Sequence, residues 1–317
     1  MIWLNLFFFV LSCLALVISS TLLIRSIEKL SFFLRIKIFI ISFIILGVGT
    51  SLPELFVGIN AALMGNPSLS LGNVIGANFI AMTLIVGLPV LVFRGIRVES
   101  KEERKDILYM FGCALLPIIF LFFGGNISRW EGMVLIAVFV LYNYSLFREQ
   151  KEFKKKPEVH FKHIIVVLYF LLAVFSLSML YFSSKYAVTY AIGIADALNL
   201  SSLLVGLVII SLGTTLPELV VSIQSLVTSE KELMIGNVVG SVVANSTLIL
   251  GIVALIQPIA LPFSAMLLPF IFLVFAIILF MAFAERGRVI GISQGLVLVL
   301  LYIVFLIVQL APAGLRG

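Results

Sequence analysis

Gly47-Val48-Gly49-Thr50-Ser51-Leu52-Pro53-Glu54 decides how this chain is read, because it returns as Ser211-Leu212-Gly213-Thr214-Thr215-Leu216-Pro217-Glu218. Each copy lies inside a long apolar segment and carries one carboxylate, small hydroxyl residues and a helix-breaking proline. A charged residue in the middle of a membrane helix costs about 2.5–3.5 kcal/mol on insertion scales. A chain that bears this cost twice, in the same local sequence, is expected to use both carboxylates.

The echo runs well past those eight residues. Shifting the chain by 164 positions carries Gly49, Thr50, Leu52, Pro53, Glu54, Leu55 and Val57 onto Gly213, Thr214, Leu216, Pro217, Glu218, Leu219 and Val221. With no gap, Gly72, Asn73, Val74 and Gly76 fall on Gly236, Asn237, Val238 and Gly240, and Leu84, Ile85 and Gly87 on Leu248, Ile249 and Gly251. Leu and Val coincide easily in an apolar chain, whereas Gly, Pro, Asn and Glu do not. The pattern reads as a duplication.

The 317 residues are 62% hydrophobic and 11% charged, against roughly 45–50% apolar and about 25% charged in a soluble domain. The composition is that of a polytopic membrane protein. Barrel strands alternate apolar and polar residues; these runs do not, so the fold class is all-α. Apolar runs place ten spans at 3–27, 36–64, 69–93, 107–124, 129–147, 164–190, 202–228, 233–256, 263–284 and 289–311, each near the ~20 residues needed to cross a bilayer. No Lys or Arg precedes Arg25, so the first run reads as a retained span and not as a signal peptide.

Placing the N-terminus outside puts 18 of the 21 Lys and Arg on the cytoplasmic side, leaving only Arg129, Lys185 and Arg316 outside. This is a strong positive-inside bias. The net charge of +6 is therefore a topology signal, and no nucleic-acid partner is expected. The long basic connector divides the chain into a first five-helix repeat (1–147), the connector itself (148–163) and a second five-helix repeat (164–317). An odd number of spans per half inverts the second repeat, a hallmark of secondary transporters. The expected location is the cell (plasma) membrane, crossed many times; the partners are the lipid bilayer and the transported ions, with a monomer as the working unit. Asp196 and Lys185 are expected beyond the sixth span. Cys13 and Cys113 lie in apolar runs and read as buried small hydrophobes.

On a helix, Glu54 shares a face with Thr50 and Ser51, and Glu218 with Thr214 and Thr215. Pro53 and Pro217 have no N–H and displace the carbonyls four residues back, those of Gly49 and Gly213. Freed carbonyls at membrane depth are tolerated only where they are buried in protein or line a wet cavity. Carboxylates, hydroxyls and carbonyls are hard ligands suited to Ca2+ or Na+. Both histidines, His160 and His163, sit in the connector, which argues against zinc or copper. Asn237, Ser241 and Asn245 form a stripe four residues apart; in the first repeat it reads Asn73, Ala77, Ala81. Asn73 and Asn237 suit either an interhelical hydrogen bond or ion ligation. Gly72, Gly76, Gly236 and Gly240 are expected to serve close helix packing. The two glutamates balance one Ca2+, and equally two Na+ or two H+. Competition for that pair gives exchange, and no resident cofactor is called for.

At these residues the chain resembles the Ca2+/cation antiporter superfamily, most closely its microbial Na+/Ca2+ exchanger branch. The segments GTSLPEL with GNVIGAN, and GTTLPEL with GNVVGS, carry the resemblance, which extends over the whole chain. It implies ten transmembrane helices arranged as two inverted repeats. The second, third, seventh and eighth spans would surround a midplane site, and the long first and sixth would slide against them. It implies Glu54 and Glu218 as the Ca2+ pair, with oxygens from Thr50 and Thr214. Ser51, Thr215 and Ser241 would flank as Na+ ligands, and Gly47 and Ser211 would offer backbone carbonyls. The chain departs from the branch at Ala77, Ala81 and Val242, and at Asn245, where an aspartate is usual. The glutamate pair also fits the proton-coupled branch, so Na+/Ca2+ and H+/Ca2+ exchange both stay open. An intramembrane hydrolase would need a metal or base that the core does not offer, so no enzyme activity is expected.

Overall fold

In the computed structural model, residues 2–33, 48–97, 101–149, 163–227, 231–286 and 289–314 are described. Helices α1 (Ile2–Phe33), α2 (Leu52–Leu63), α3 (Pro67–Phe93), α4 (Lys101–Gly124) and α5 (Arg129–Glu149) form the first half. Helices α6 (His163–Ala197) and α7 (Ser202–Val227) open the second. Helix α8 runs through Lys231–Val243, Ala244–Ile249 and Leu250–Ile256, and is followed by α9 (Phe263–Arg286) and α10 (Ile292–Gly314). Eight helices among the described residues are long and apolar enough to cross a membrane. The exceptions are α2, which has 12 residues, and α5, which has charges at both ends. Residues 36–47 of the expected second span, Gly47 among them, lie outside the described residues, as does the connector from 150 to 162 with His160.

Helix α6 runs on past the expected end at 190. Lys185 and Asp196 are therefore exposed positions on a 35-residue helix and do not follow it. At 1.5 Å per residue this helix is about 52 Å long and α1 about 48 Å, well beyond the ~30 Å hydrocarbon core. The two pack along one another. They form an apolar cluster with the facing sides of α2, α3 and α7, separate from the larger core that holds the remaining helices. The serines and threonines of this pair bond to carbonyls one turn back in their own helix, as in Ser12 to Phe8 and Ser176 to Leu172. Their protons are thus used within their own helix, while an oxygen can still accept from outside it, as Ser184 Oγ does from Asn60 Nδ2 of α2 at 2.8 Å.

Helices α3 and α8 are not regular throughout. Each widens into a π-turn, at Ala81–Ile85 and at Ala244–Ile249. A threonine sits in each at equivalent places. Thr83 donates to the Phe79 carbonyl and Thr247 to the Val243 carbonyl, both at 2.6 Å. Such back-bonding competes with the helix's own N–H donors and loosens the turn. In α3, Pro89 adds to this, because its ring excludes the Ile85 carbonyl from normal pairing. π-Turns of this kind often mark functional sites.

Four contacts recur in pairs under the 164-residue shift, or one residue less. Two-residue ladders join β1 (Ile96–Arg97) to β4 (Val289–Ile290) and β2 (Asn126–Ile127) to β3 (Ile259–Ala260). The shift carries β1 onto the β3 segment and β2 onto the β4 segment, so each ladder maps onto the other. Gly87 meets Gly295 as Gly251 meets Gly132. The Glu131 carboxylate caps the Ser128 N–H at 2.6 Å, and the Gln294 amide caps that of Gly291 at 3.1 Å. The last pair lies in the site itself.

Glycine has its clearest use between α3 and α7. A Cβ on Gly72 would overlap the Leu203 carbonyl oxygen, one on Gly76 that of Leu207, and one on Gly206 that of Leu69. The two helices therefore touch backbone to backbone. The packing role expected of Gly72 and Gly76 is seen. Gly236 is exposed, with no atom within 4 Å of where its Cβ would stand, so the same expectation for it is corrected. Both cysteines are buried and unpaired.

Candidate functional site

Both motifs break their helices where the proline requires it. Ser51 precedes α2 with non-helical dihedrals, Pro53 sits in the first turn and Glu54 follows it. In α7 the helix pauses at Thr215 and resumes at Leu216, again with Glu218 in the first turn. Each carboxylate thus stands at the N-terminal end of a half-helix, where the macrodipole favours negative charge.

The described candidates Thr50, Ser51, Glu54, Asn73, Ser211, Thr214, Thr215, Glu218, Asn237, Ser241 and Asn245 are all at most 4% exposed. Bonds within and between α2, α3, α7 and α8 join Thr50 to Asn237 and Ser241 and join Thr214 to Asn73 and Ser211, while Asn245 bonds Asn78. The Thr50 hydroxyl donates to Asn237 Oδ1 at 3.1 Å, and the Thr214 hydroxyl donates to Asn73 Oδ1 at 3.1 Å. These are the same bond in the two halves. Each threonine gives its one proton to an asparagine, so its oxygen is left to act as an acceptor or ligand. Ser241 Oγ lies 3.1 Å from Thr50 Oγ1.

The two carboxylates are near enough to feel one another, and Thr214 lies against Glu54. Among the described residues none of the four carboxylate oxygens has a partner in good hydrogen-bonding geometry, and all are buried. The Ser51 hydroxyl is likewise buried without a partner among the described residues. Buried polar atoms are ordinarily paired, and a buried charge is paired or meets a metal. An oxygen-only shell with two carboxylates fits a hard cation.

The halves are not equivalent in detail. Asn237 Nδ2 donates to the Glu218 carbonyl at 3.2 Å and to Ser222 Oγ at 3.0 Å. The place of Ser222 in the first half is taken by Gly58, and Asn73 Nδ2 has no acceptor among the described residues. Thr215 turns its hydroxyl back onto the Ser211 carbonyl at 2.7 Å, which also accepts the Thr215 N–H at 3.1 Å. That carbonyl is saturated in this conformation, so ligation through Ser211 requires Thr215 to swing away. Ser222 and Asn78 belong to the buried network but do not stand out in the sequence.

Thr50→Val is expected to lower stability by about 1–3 kcal/mol by leaving a buried amide oxygen unpaired, and to weaken Ca2+ binding. Thr214→Val should do the same from the other half. Thermal unfolding of each variant with and without Ca2+ checks both effects.

A family model described as sodium/calcium exchanger protein matches residues 4–148 and 168–311. The chain is 25% identical to the sodium/calcium exchanger MaX1 of Methanosarcina acetivorans, covering 97% of this chain and 99% of that protein. It is 27% identical to the inner membrane protein YrbG of Escherichia coli, covering 80% and 82%. Among solved structures, the sodium-calcium exchanger NCX_Mj soaked with 2.5 mM Na+ and 10 mM Sr2+ superposes with a TM-score of 0.66 at 26% identity, over 96% of this chain and 98% of that one.

Proposed function

The chain belongs to the sodium/calcium exchanger protein family, and on that footing we propose that it is a secondary active antiporter exchanging Ca2+ for Na+ at a site built on Glu54 and Glu218. One observation carries the reading: four buried carboxylate oxygens with no partner in good hydrogen-bonding geometry among the described residues, in a shell of hydroxyl oxygens. The likeness to NCX_Mj, studied with Na+, Sr2+ and Ca2+, supports both ions as substrates.

Ten spans in two inverted repeats, 1–147 and 164–317 about the connector 148–163, make up the proposed scaffold. The paired contacts support it, above all Thr50 with Asn237 and Thr214 with Asn73. The ladders support the assignment of sides. Positive-inside reasoning places β1 and β4 both at the cytoplasmic face and β2 and β3 both outside, and those are the segments that pair. A miscounted span between partners would have separated them. The N-terminus is then outside and the membrane is that of the cell.

The competing reading is H+ coupling. It is favoured by Ala77 and Ala81, which take two polar positions away from the first-half stripe. The deciding experiment is 45Ca2+ uptake into proteoliposomes, loaded with Na+ at equal pH or Na+-free with an outward H+ gradient. Uptake driven by Na+ alone is expected. Uptake driven by H+ alone would transfer the coupling role to protons on the glutamates, and no uptake under either gradient would overturn Ca2+ exchange.

A further inference from the structure

Helix α3 carries an amide that its repeat pattern does not account for. Asn78 falls one residue off the stripe Asn73, Ala77, Ala81, and the shift places Val242 opposite it in the second half. It is fully buried. Its Nδ2 donates to Ser246 Oγ at 2.8 Å, and its Oδ1 accepts from Asn245 Nδ2 at 3.1 Å. Asn245 Oδ1 is buried with no partner among the described residues. Asn245 stands one turn beyond Ser241, which contacts Thr50 at the glutamate site.

A carboxamide has a right end and a wrong end for a cation: the oxygen ligates and the NH2 repels. Asn245 cannot turn over alone while Asn78 holds it, because its oxygen would then face the Asn78 oxygen. Turning both amides together would need Ser246 to change from acceptor to donor. The π-turn at Ala244–Ile249 makes the relay geometrically possible. Successive residues there rotate by less than the roughly 100° of an α-helix, so Asn245 and Ser246 can both address α3.

We propose that Asn78 is a positioning residue, and that the Ser246–Asn78–Asn245 relay fixes the Asn245 amide oxygen toward a neutral subsite for a monovalent cation beside the glutamate pair. A single uncharged oxygen adds no further balance for Ca2+ but serves Na+ well. The inference rests on the cation-exchange reading above.

A carboxylate supplies the test, since its two oxygens are equivalent and have no wrong end. Asn78→Ala should raise the Na+ concentration giving half-maximal thermal stabilisation of the purified protein by about fivefold, the worth of one neutral hydrogen bond. The Ca2+ concentration for half-stabilisation in Na+-free buffer should stay within about twofold. In an Asn245→Asp background, adding Asn78→Ala should leave the Na+ value unchanged. Ser246→Ala, which removes the far anchor, should shift the wild-type value in the same direction and stands in if Asn78→Ala does not fold. An unchanged Na+ value in Asn78→Ala overturns the proposal. So does an equal shift in both backgrounds, or a wild-type protein that Na+ does not stabilise. A protein that Na+ stabilises but that moves no Ca2+ in vesicles would defeat the exchange reading and leave the relay standing.

Discussion

Glu54→Gln and Glu218→Gln each reduce Ca2+ transport by about two to three orders of magnitude or more, while the protein still folds. Glutamine keeps the shape of the side chain but removes one of the two negative charges and turns an NH2 toward the cation. Removing one partner of a buried charge pairing costs about 3–5 kcal/mol, and each 1.4 kcal/mol is tenfold in affinity. Stability without the ion should move the other way. Two carboxylates share a buried site that offers them no donor in good geometry among the described residues, which costs free energy without a cation and which a neutral amide relieves in part. The variants should therefore unfold at or above the wild-type temperature in the absence of Ca2+. Wild-type protein should gain stability as Ca2+ is added, as any ligand that binds only the folded state requires. Uptake of 45Ca2+ at the wild-type rate in either variant would remove the pair from the transport site. Loss of uptake together with loss of folding would assign the glutamates a structural role.

The motifs were legible because they violate the chemistry of their surroundings. A glutamate and a proline stand out in a chain that is 62% hydrophobic, and repetition at a fixed spacing removes chance as an explanation. Most of the helix positions and the buried cysteines followed from apolar runs, and the packing of Gly72 and Gly76 from glycines spaced four residues apart. The sequence shows Thr50 and Asn237 as separate polar residues, but not that they bond to each other across the halves. That pairing depends on how far one helix is displaced along its neighbour, which no local pattern encodes. Asn78 was hidden because it stands one residue off the stripe of its own helix, and it is the π-turn of the facing helix, at Ala244–Ile249, that brings both Asn245 and Ser246 onto it. The matched Thr83 and Thr247 were the available signal for that turn. Ser222 was hidden by the repeat itself, since its counterpart Gly58 has no side chain to match. The two-residue ladders are too short to leave a pattern of alternation. Gly236 failed because a motif glycine was given the same packing partner in both halves, and the structure shows none near it.

Gly72→Ala and Gly206→Ala are expected to be, with Gly76→Ala, among the most damaging single-methyl changes at the described positions. At both positions the added carbon would overlap a main-chain carbonyl oxygen of the facing helix, Leu203 for the first and Leu69 for the second. A flexible side chain could rotate away; a helix backbone cannot, so α3 and α7 must part. Overpacking ordinarily costs about 1–3 kcal/mol and sometimes more, and a clash of backbone against a new Cβ belongs at or above the top of that range. Gly112→Ala is the control. Gly112 lies exposed within α4 with nothing within 4 Å of its added carbon, and alanine there should stabilise by up to ~1 kcal/mol through helix propensity. The same separation reaches the site. Asn73 follows Gly72, and a Cβ on Gly206 would also press on the Asn73 N–H. Parting the helices lengthens the 3.1 Å bond from Thr214 to Asn73, so the folded fraction should bind Ca2+ more weakly as well. Unfolding temperatures and Ca2+-induced stabilisation of the three variants, measured in one detergent, separate these effects. Wild-type values for Gly72→Ala and Gly206→Ala would mean that α3 and α7 do not meet backbone to backbone. A loss of stability with full Ca2+ response would mean that their contact holds the fold without setting the geometry of the site.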